Sequence, residues 1–174
     1  MIVFKSILHN LGVVAVGFAV AFVGTRLDLL IGAKRFHSLI AVVPGCGLIA
    51  AGFLLRTWAT YYFYQHRMSA ISTVPQGTLL TSGPYRYSRN PLYLGGNAFI
   101  FFGAGLVLGS PMALLITALH LPLVDLFIRR EEKQLERTFG EAWLRYKRST
   151  RRLAVTQEPG GRSHQVFRRM PAPL

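Results

Sequence analysis

The stretch LYLGGNAFIFFGAGLVLGSPMALLITALHLPLVDLFI, residues 92–128, decides the fold. It consists of two apolar runs, 92–108 and 112–128, separated only by Gly109, Ser110 and Pro111. Each run is close to the minimum of about 17 residues with which an α-helix crosses a bilayer core. Ser110 is a good N-cap for the second helix, and Pro111 stands in its first turn, where a missing N–H costs nothing. So short a connection makes the two helices antiparallel neighbours. The stretch therefore predicts a membrane hairpin whose outer ends, before residue 92 and after residue 128, emerge on one face.

Working outward, two more apolar runs precede the hairpin, at 6–25 and 39–64. Lys5 and the AVA at 19–21 also give the first run the outline of a secretory signal. Its apolar character resumes at 27–31, however, with no mature-domain composition behind it, so it is read as a span. The whole chain of 174 residues is 51% hydrophobic, with a mean hydropathy of +0.35. That is too apolar for a soluble domain and about the length of one compact unit. The expected fold is all-α: an integral membrane helical bundle of about four transmembrane helices, one domain over 1–153.

Charge adds orientation. Twenty Lys and Arg against seven Asp and Glu give a net charge of +13, which suits nucleic acid or an anionic leaflet. The apolar runs select the leaflet and leave no role for nucleic acid. Arg67, Arg86 and Arg89 precede the hairpin, most other basic residues follow it, and the connection at 109–111 has none, so both outer segments are expected on the cytoplasmic side. Lys34 and Arg35, between the first two spans, run against this count. In 129–152, Leu135, Phe139, Ala142, Trp143 and Tyr146 recur at helical spacing, predicting an amphipathic helix against the membrane surface, kinked or divided at Gly140. The tail 154–174 reads as a disordered basic extension near the leaflet. Cys46, the single cysteine, can form no intrachain disulfide and gives no sign of an oxidising compartment.

The segment entering the hairpin, TSGPYRYSRNPLYLGG at 81–96, is the densest polar and aromatic stretch of the chain. Ser82, Gly83 and Pro84 predict a turn, and Asn90 with Pro91 predicts a capped helix start, itself a ready anion site. Across the hairpin stand Arg129, Arg130, Glu131 and Glu132. Carboxylates beside arginines at a bilayer boundary predict a polar pocket built from both segments.

These residues resemble a known family. Gly-Pro-Tyr, then Arg-Asn-Pro-Leu-Tyr-Leu-Gly, a helical hairpin, Arg-Glu-Glu, Phe139-Gly140 and an aromatic-basic helix look like the isoprenylcysteine carboxyl methyltransferases and phospholipid methyltransferases of membranes. The likeness covers about 56–153, including LRTWA in the second span. It implies methyl transfer from S-adenosylmethionine to a lipidic or small amphiphilic acceptor. It also implies that the cofactor is held by Gly77, Thr78, Leu79, Leu80 and Tyr85, by Asn90, Pro91, Leu92 and Tyr93, and by Glu131. Many members carry histidine where this chain has Asn90, so that position is read as cofactor binding and no catalytic base is assigned. Arg129 or Arg130 is the expected grip on an anionic acceptor. A prenylcysteine carboxylate, a phospholipid amine and a small amphiphile all stay open as that acceptor.

Other features take plainer readings. GAGLVLG at 103–109 sits in an apolar span with no strand before it, so it predicts small-residue helix packing instead of a dinucleotide loop. Asp125 and Arg56, both inside spans, need partners and are expected to pair with each other. The five histidines show no metal-ligand spacing, so no metal is expected. A sterol-reductase-like enzyme using NADPH, or a non-catalytic membrane adaptor, are the competing functions. Asn90 in place of histidine, and Gly96 where such reductases carry an acid, count against the reductase.

Overall fold

The computed structural model describes residues 1–68 and 77–152; the expected tail at 154–174 lies outside them. Four long helices form the body: α1 (Ile2–Ile31), α2 (Leu39–Gln65), α3 (Pro91–Leu108) and α4 (Pro111–Phe139), all long and apolar enough to cross a membrane. A 3₁₀ turn (Gly83–Arg86) precedes α3, and a short helix, α5 (Glu141–Ser149), follows α4. No strand occurs among the described residues.

The packing is that of a membrane bundle. Large apolar side chains point outward, among them Leu8, Leu11, Leu119, Leu123 and Phe127, while the interior is built from small residues such as Ala21, Ala59, Ala104 and Ala113. In lipid, close backbone approach replaces hydrophobic burial as the force between helices. Gly52 faces the Gly95 carbonyl so closely that a β-carbon would overlap it, and a β-carbon at Gly103 would lie 2.7 Å from the Gly45 carbonyl oxygen. The glycines of 103–109 are thus packing residues, as expected.

The hairpin forms as predicted. Ser110 caps α4 by accepting from Ala113 N at 3.0 Å. Asp28, fully buried, reinforces the cap by accepting from Ser110 Oγ and, at 3.0 Å, from Met112 N. At the same end Arg35 Nη2 donates to the Leu108 carbonyl at 3.0 Å. Arg35 therefore serves a helix C-terminus, where a cation is stabilising, which accounts for a basic residue on the face where charge counting disfavours it.

Two expectations are corrected. The charged segment after residue 128 does not begin a separate surface helix: α4 runs without interruption to Phe139, since Arg, Glu, Lys, Gln and Leu all favour helix. At about 1.5 Å per residue this carries its last turns beyond the bilayer core. The break falls at Gly140, whose φ of 51° and ψ of −125° are open to glycine alone. Arg56 and Asp125 do not pair either. Arg56 Nε donates to Asn10 Oδ1 at 2.9 Å, and its Nη1 donates to the Leu92 carbonyl. Asp125 accepts from Arg129 at 2.6 Å and from Arg152 at 3.0 Å. A turn of α4 places Asp125 beside Arg129, and the chain after α5 returns Arg152 to it.

Candidate functional site

The segment 81–90 folds as a compact knot on the end of α2. Tyr85 N donates to the Ser82 carbonyl and Ser88 N to the Pro84 carbonyl, both at 3.2 Å. Asn90 then adopts φ −132° and ψ 55° and makes no side-chain cap; its Nδ2 is buried with no hydrogen-bond partner. The capping role read from its position is therefore not played. From Leu94 to Phe101 the third span widens into a π-helix, a form frequent at functional sites.

A cavity of about 290 Å³ opens where this knot, the start of α3, the outer turns of α4 and α5 meet. Thr78, Leu79, Leu80, Tyr85, Asn90, Pro91, Leu92, Tyr93 and Glu131 all line it. Gly77 is exposed and does not. The hairpin's convergence is direct: Tyr93 OH donates to Glu131 Oε1 at 2.8 Å. Arg129 and Arg130 stay outside. The Arg129 side chain is 61% exposed on Asp125, and Arg130 lies over the Phe127 ring, 5.9 Å from its centroid. Successive helical residues differ by about 100° in direction, so these two cannot share the face of Glu131.

Arg56 and Arg89 line the cavity in their place. In the sequence Arg89 reads only as loop charge within the motif; its signal is its place two residues before α3. It sits 5.8 Å from the centroid of the Trp143 ring, and its Nη2 lies 3.5 Å from Glu132 Oε1. Glu132, 4% exposed, also accepts from Arg152 Nη2 at 2.6 Å and Nε at 3.1 Å. Two further bonds tie this returning segment to the motif: Arg89 N donates to the Arg151 carbonyl at 3.1 Å, and Ser88 Oγ to the Arg152 carbonyl at 2.9 Å. Glu132 is thus a structural anchor, whereas Glu131 faces the cavity.

The aromatic face of α5 closes the site instead of resting on lipid. Trp143 and Tyr146 are buried against Ala59, Leu80 and Tyr85, and Tyr146 OH donates to the Tyr85 carbonyl at 2.6 Å. Burial pushes the Tyr85 phenol well above its ordinary range and raises Tyr146 as well. Both remain protonated donors at neutral pH. Burial lowers Arg89, opposed by the attraction of Glu132, and the bond to Glu132 raises Arg152; an arginine keeps its charge in either case.

The polar inventory of the cavity is lopsided. Arg89 Nε and Nη1, Asn90 Nδ2, Tyr85 OH and Trp143 Nε1 are buried without partners among the described residues, and all belong to lining residues. Buried donors are ordinarily satisfied, so a cluster of orphans on one cavity points to a polar occupant, water or ligand. Opposite them stands one carboxylate, Glu131. Donors for an anion, an acceptor for hydroxyl or ammonium groups, and aromatic faces for a cation fit the donor set of S-adenosylmethionine. No group of three His, Cys, Asp or Glu that could hold a metal occurs among the described residues.

No curated protein and no solved structure matches the chain. The family model described as phospholipid methyltransferase matches residues 40–142, from the first turn of α2 to the start of α5, a region that contains the motif, the hairpin and Glu131. With more than half its length matched, four membrane-length helices and a cavity at the expected positions, the chain belongs to the phospholipid methyltransferase family and is a membrane methyltransferase.

Proposed function

We propose that the protein transfers a methyl group from S-adenosylmethionine to an ionised carboxylate of the isoprenylcysteine type, carried by a lipidic or small amphiphilic acceptor, on the cytoplasmic side of the membrane. The observation that carries this reading is that one cavity brings Glu131 together with donors of Arg89, Asn90 and Trp143 that have no partner among the described residues. When bound, S-adenosylmethionine supplies an electrophilic methyl group on a sulfonium.

The residues would divide the work by charge. Arg89, whose Nε and Nη1 have no partner among the described residues, suits the carboxylate of the donor, assisted by Asn90 Nδ2. Glu131 suits its hydroxyl or ammonium groups, with Tyr93 fixing the carboxylate by the 2.8 Å bond. Tyr85 and Tyr93 offer aromatic faces to a sulfonium, and Thr78, Leu79, Leu80, Pro91 and Leu92 complete the walls. The family implies the donor, and these residues are its proposed holders.

A carboxylate acceptor is ionised at neutral pH, so no base need accept a proton; alignment in a water-poor cavity suffices. This agrees with a cavity whose phenols are held protonated by burial. The family description favours a second acceptor, the amine of a phospholipid, for which a proton must leave and Glu131 is the carboxylate at hand.

The test uses purified protein in nanodiscs, titrated with S-adenosylhomocysteine and separately with NADPH. It then measures transfer of labelled methyl to S-farnesylcysteine and to phosphatidylethanolamine. Binding of the first compound only, with label in an alkali-labile ester of S-farnesylcysteine, is the expected result. Alkali-stable label in the phospholipid would move the acceptor to the amine. Tight NADPH binding would transfer the case to a reductase, and no binding of either to an adaptor.

A further inference from the structure

A second cavity, of about 390 Å³, lies between α1 and α3, lined mainly by Gly12, Val13 and Val16 of α1 and Phe101 of α3, with His9 of α1 as a polar group on its wall. It faces the outside of the bundle, where Gly12 is exposed and Val16 is 53% exposed. Arg56 and Asn97 line this cavity and also the first one. The apolar groove and the reaction cavity therefore meet at one arginine.

Arg56 is held at that junction by a chain of neutral groups. Its Nε donates to Asn10 Oδ1 at 2.9 Å, and Asn10 Nδ2 in turn donates to the Ser6 carbonyl at 2.8 Å and lies 2.9 Å from Thr60 Oγ1. The glycine pair of α3 leaves room for its path: β-carbons at Gly95 and Gly96 would come within 2.8 Å of Arg56 Cγ and Nη1. An arginine inside a membrane span is expensive and is normally paired or in service to a ligand. Among the described residues no carboxylate forms a salt bridge with it. A cation is thus fixed, without an anion, between a lipid-facing apolar groove and the methyl-transfer cavity.

We infer that the groove between α1 and α3 receives the hydrocarbon chain of a lipid acceptor that carries an anionic group, and that Arg56 holds this group, carboxylate or phosphate, at the mouth of the reaction cavity. Apolar walls open to the bilayer suit a chain that already resides there, and the cation at its end suits an anion and not a bare amine. This deepens the methyltransferase reading and rests on it. It moves acceptor recognition away from Arg129 and Arg130, which stand outside both cavities.

The full chain in phosphatidylcholine nanodiscs is photolabelled with two probes, a diazirine analogue of S-farnesylcysteine and a phosphatidylethanolamine with a diazirine in one acyl chain, and the sites are mapped by mass spectrometry. At least one probe should label residues 9–16 or Phe101 in a manner displaced by its unlabelled parent. Label at Leu119 and Leu123, on the outer face of α4, should not be displaced. Gly12→Leu should cut the displaceable label about tenfold, the effect of losing burial for a methylene or two. A β-carbon at Gly12 meets nothing within 4 Å, so this variant should fold and bind S-adenosylhomocysteine as the wild type does. The probe that is displaced names the lipid whose anionic group Arg56 holds. Label no more displaceable on α1 than on α4, or unchanged in Gly12→Leu, overturns the inference. Displaceable label in a wild type that binds no S-adenosylhomocysteine supports the groove and overturns the methyl-donor reading alone.

Discussion

Glu131 and Glu132 are neighbours on α4 with different surroundings, and exchanging each for glutamine should separate ligand binding from stability. Glu131→Gln keeps the shape and a neutral hydrogen bond with Tyr93 but removes the charge that faces the cavity. A charge-assisted contact to a ligand is worth about 1.5 to 3 kcal/mol, or roughly tenfold to a hundredfold in affinity. Glu132→Gln instead leaves Arg89 and Arg152 facing a neutral amide. Breaking a buried ion pair costs about 3 to 5 kcal/mol. The lower end applies because the Arg152 side chain is 27% exposed. At about 2 to 4 °C per kcal/mol for a domain of this size, that is a fall in Tm of roughly 6 to 12 °C. Titration with S-adenosylhomocysteine and thermal unfolding in the same detergent measure both quantities on each variant. The expected outcome is weakened binding at nearly unchanged Tm for Glu131→Gln, and a lowered Tm for Glu132→Gln. Equal effects of the two on both measurements, or wild-type affinity in Glu131→Gln, would refute the assignment.

Three other outcomes are expected. Gly52→Ala drives a methyl into the Gly95 carbonyl and should lower Tm by an amount matching about 1 to 3 kcal/mol of overpacking, whereas Gly47→Ala, with nothing within 4 Å of the new carbon, should leave it unchanged; thermal unfolding of both decides. Tyr146→Phe removes the 2.6 Å bond to the Tyr85 carbonyl and should cost about 1 to 2 kcal/mol, read as increased protease cleavage after α4. In a Cys46→Ser background, cysteine at Ser82 should be labelled from the cytoplasmic side and cysteine at His37 from the opposite side; the reverse pattern would invert the proposed topology.

Much of the architecture was legible because membrane spans obey a one-dimensional rule: about 20 apolar residues saturate their own backbone as a helix wherever they occur. The four spans, the GSP connection with its Ser110 cap and the common face of the motif and the charged end of α4 follow from that rule and from chain connectivity, and the break at Gly140 follows from the backbone freedom of glycine. Side-chain pairing obeys no such rule. Asp125 and Arg56 looked like mutual partners because each is costly alone in lipid, yet Asn10 on α1 and the returning Arg152 satisfy them separately. Asn90 looked like a cap, but its backbone turns the amide into the cavity.

What the sequence by itself determined is the number and order of the helices and the common face of the motif and the charged end of α4; of the ten residues that the resemblance names for the cofactor, nine line one cavity. Tertiary structure alone decided which arginines enter that cavity. Four arginines carry the same charge: Arg56 inside α2, Arg89 in the loop before α3, and Arg129 and Arg130 in α4. Only the rotation of α4, the glycine gap at Gly95 and Gly96, and the return of Arg152 onto Glu132 turn the first two inward and leave the last two on the surface. Helix rotation and backbone clearance are set by contacts between segments distant in the chain, so no local pattern of residues encodes them.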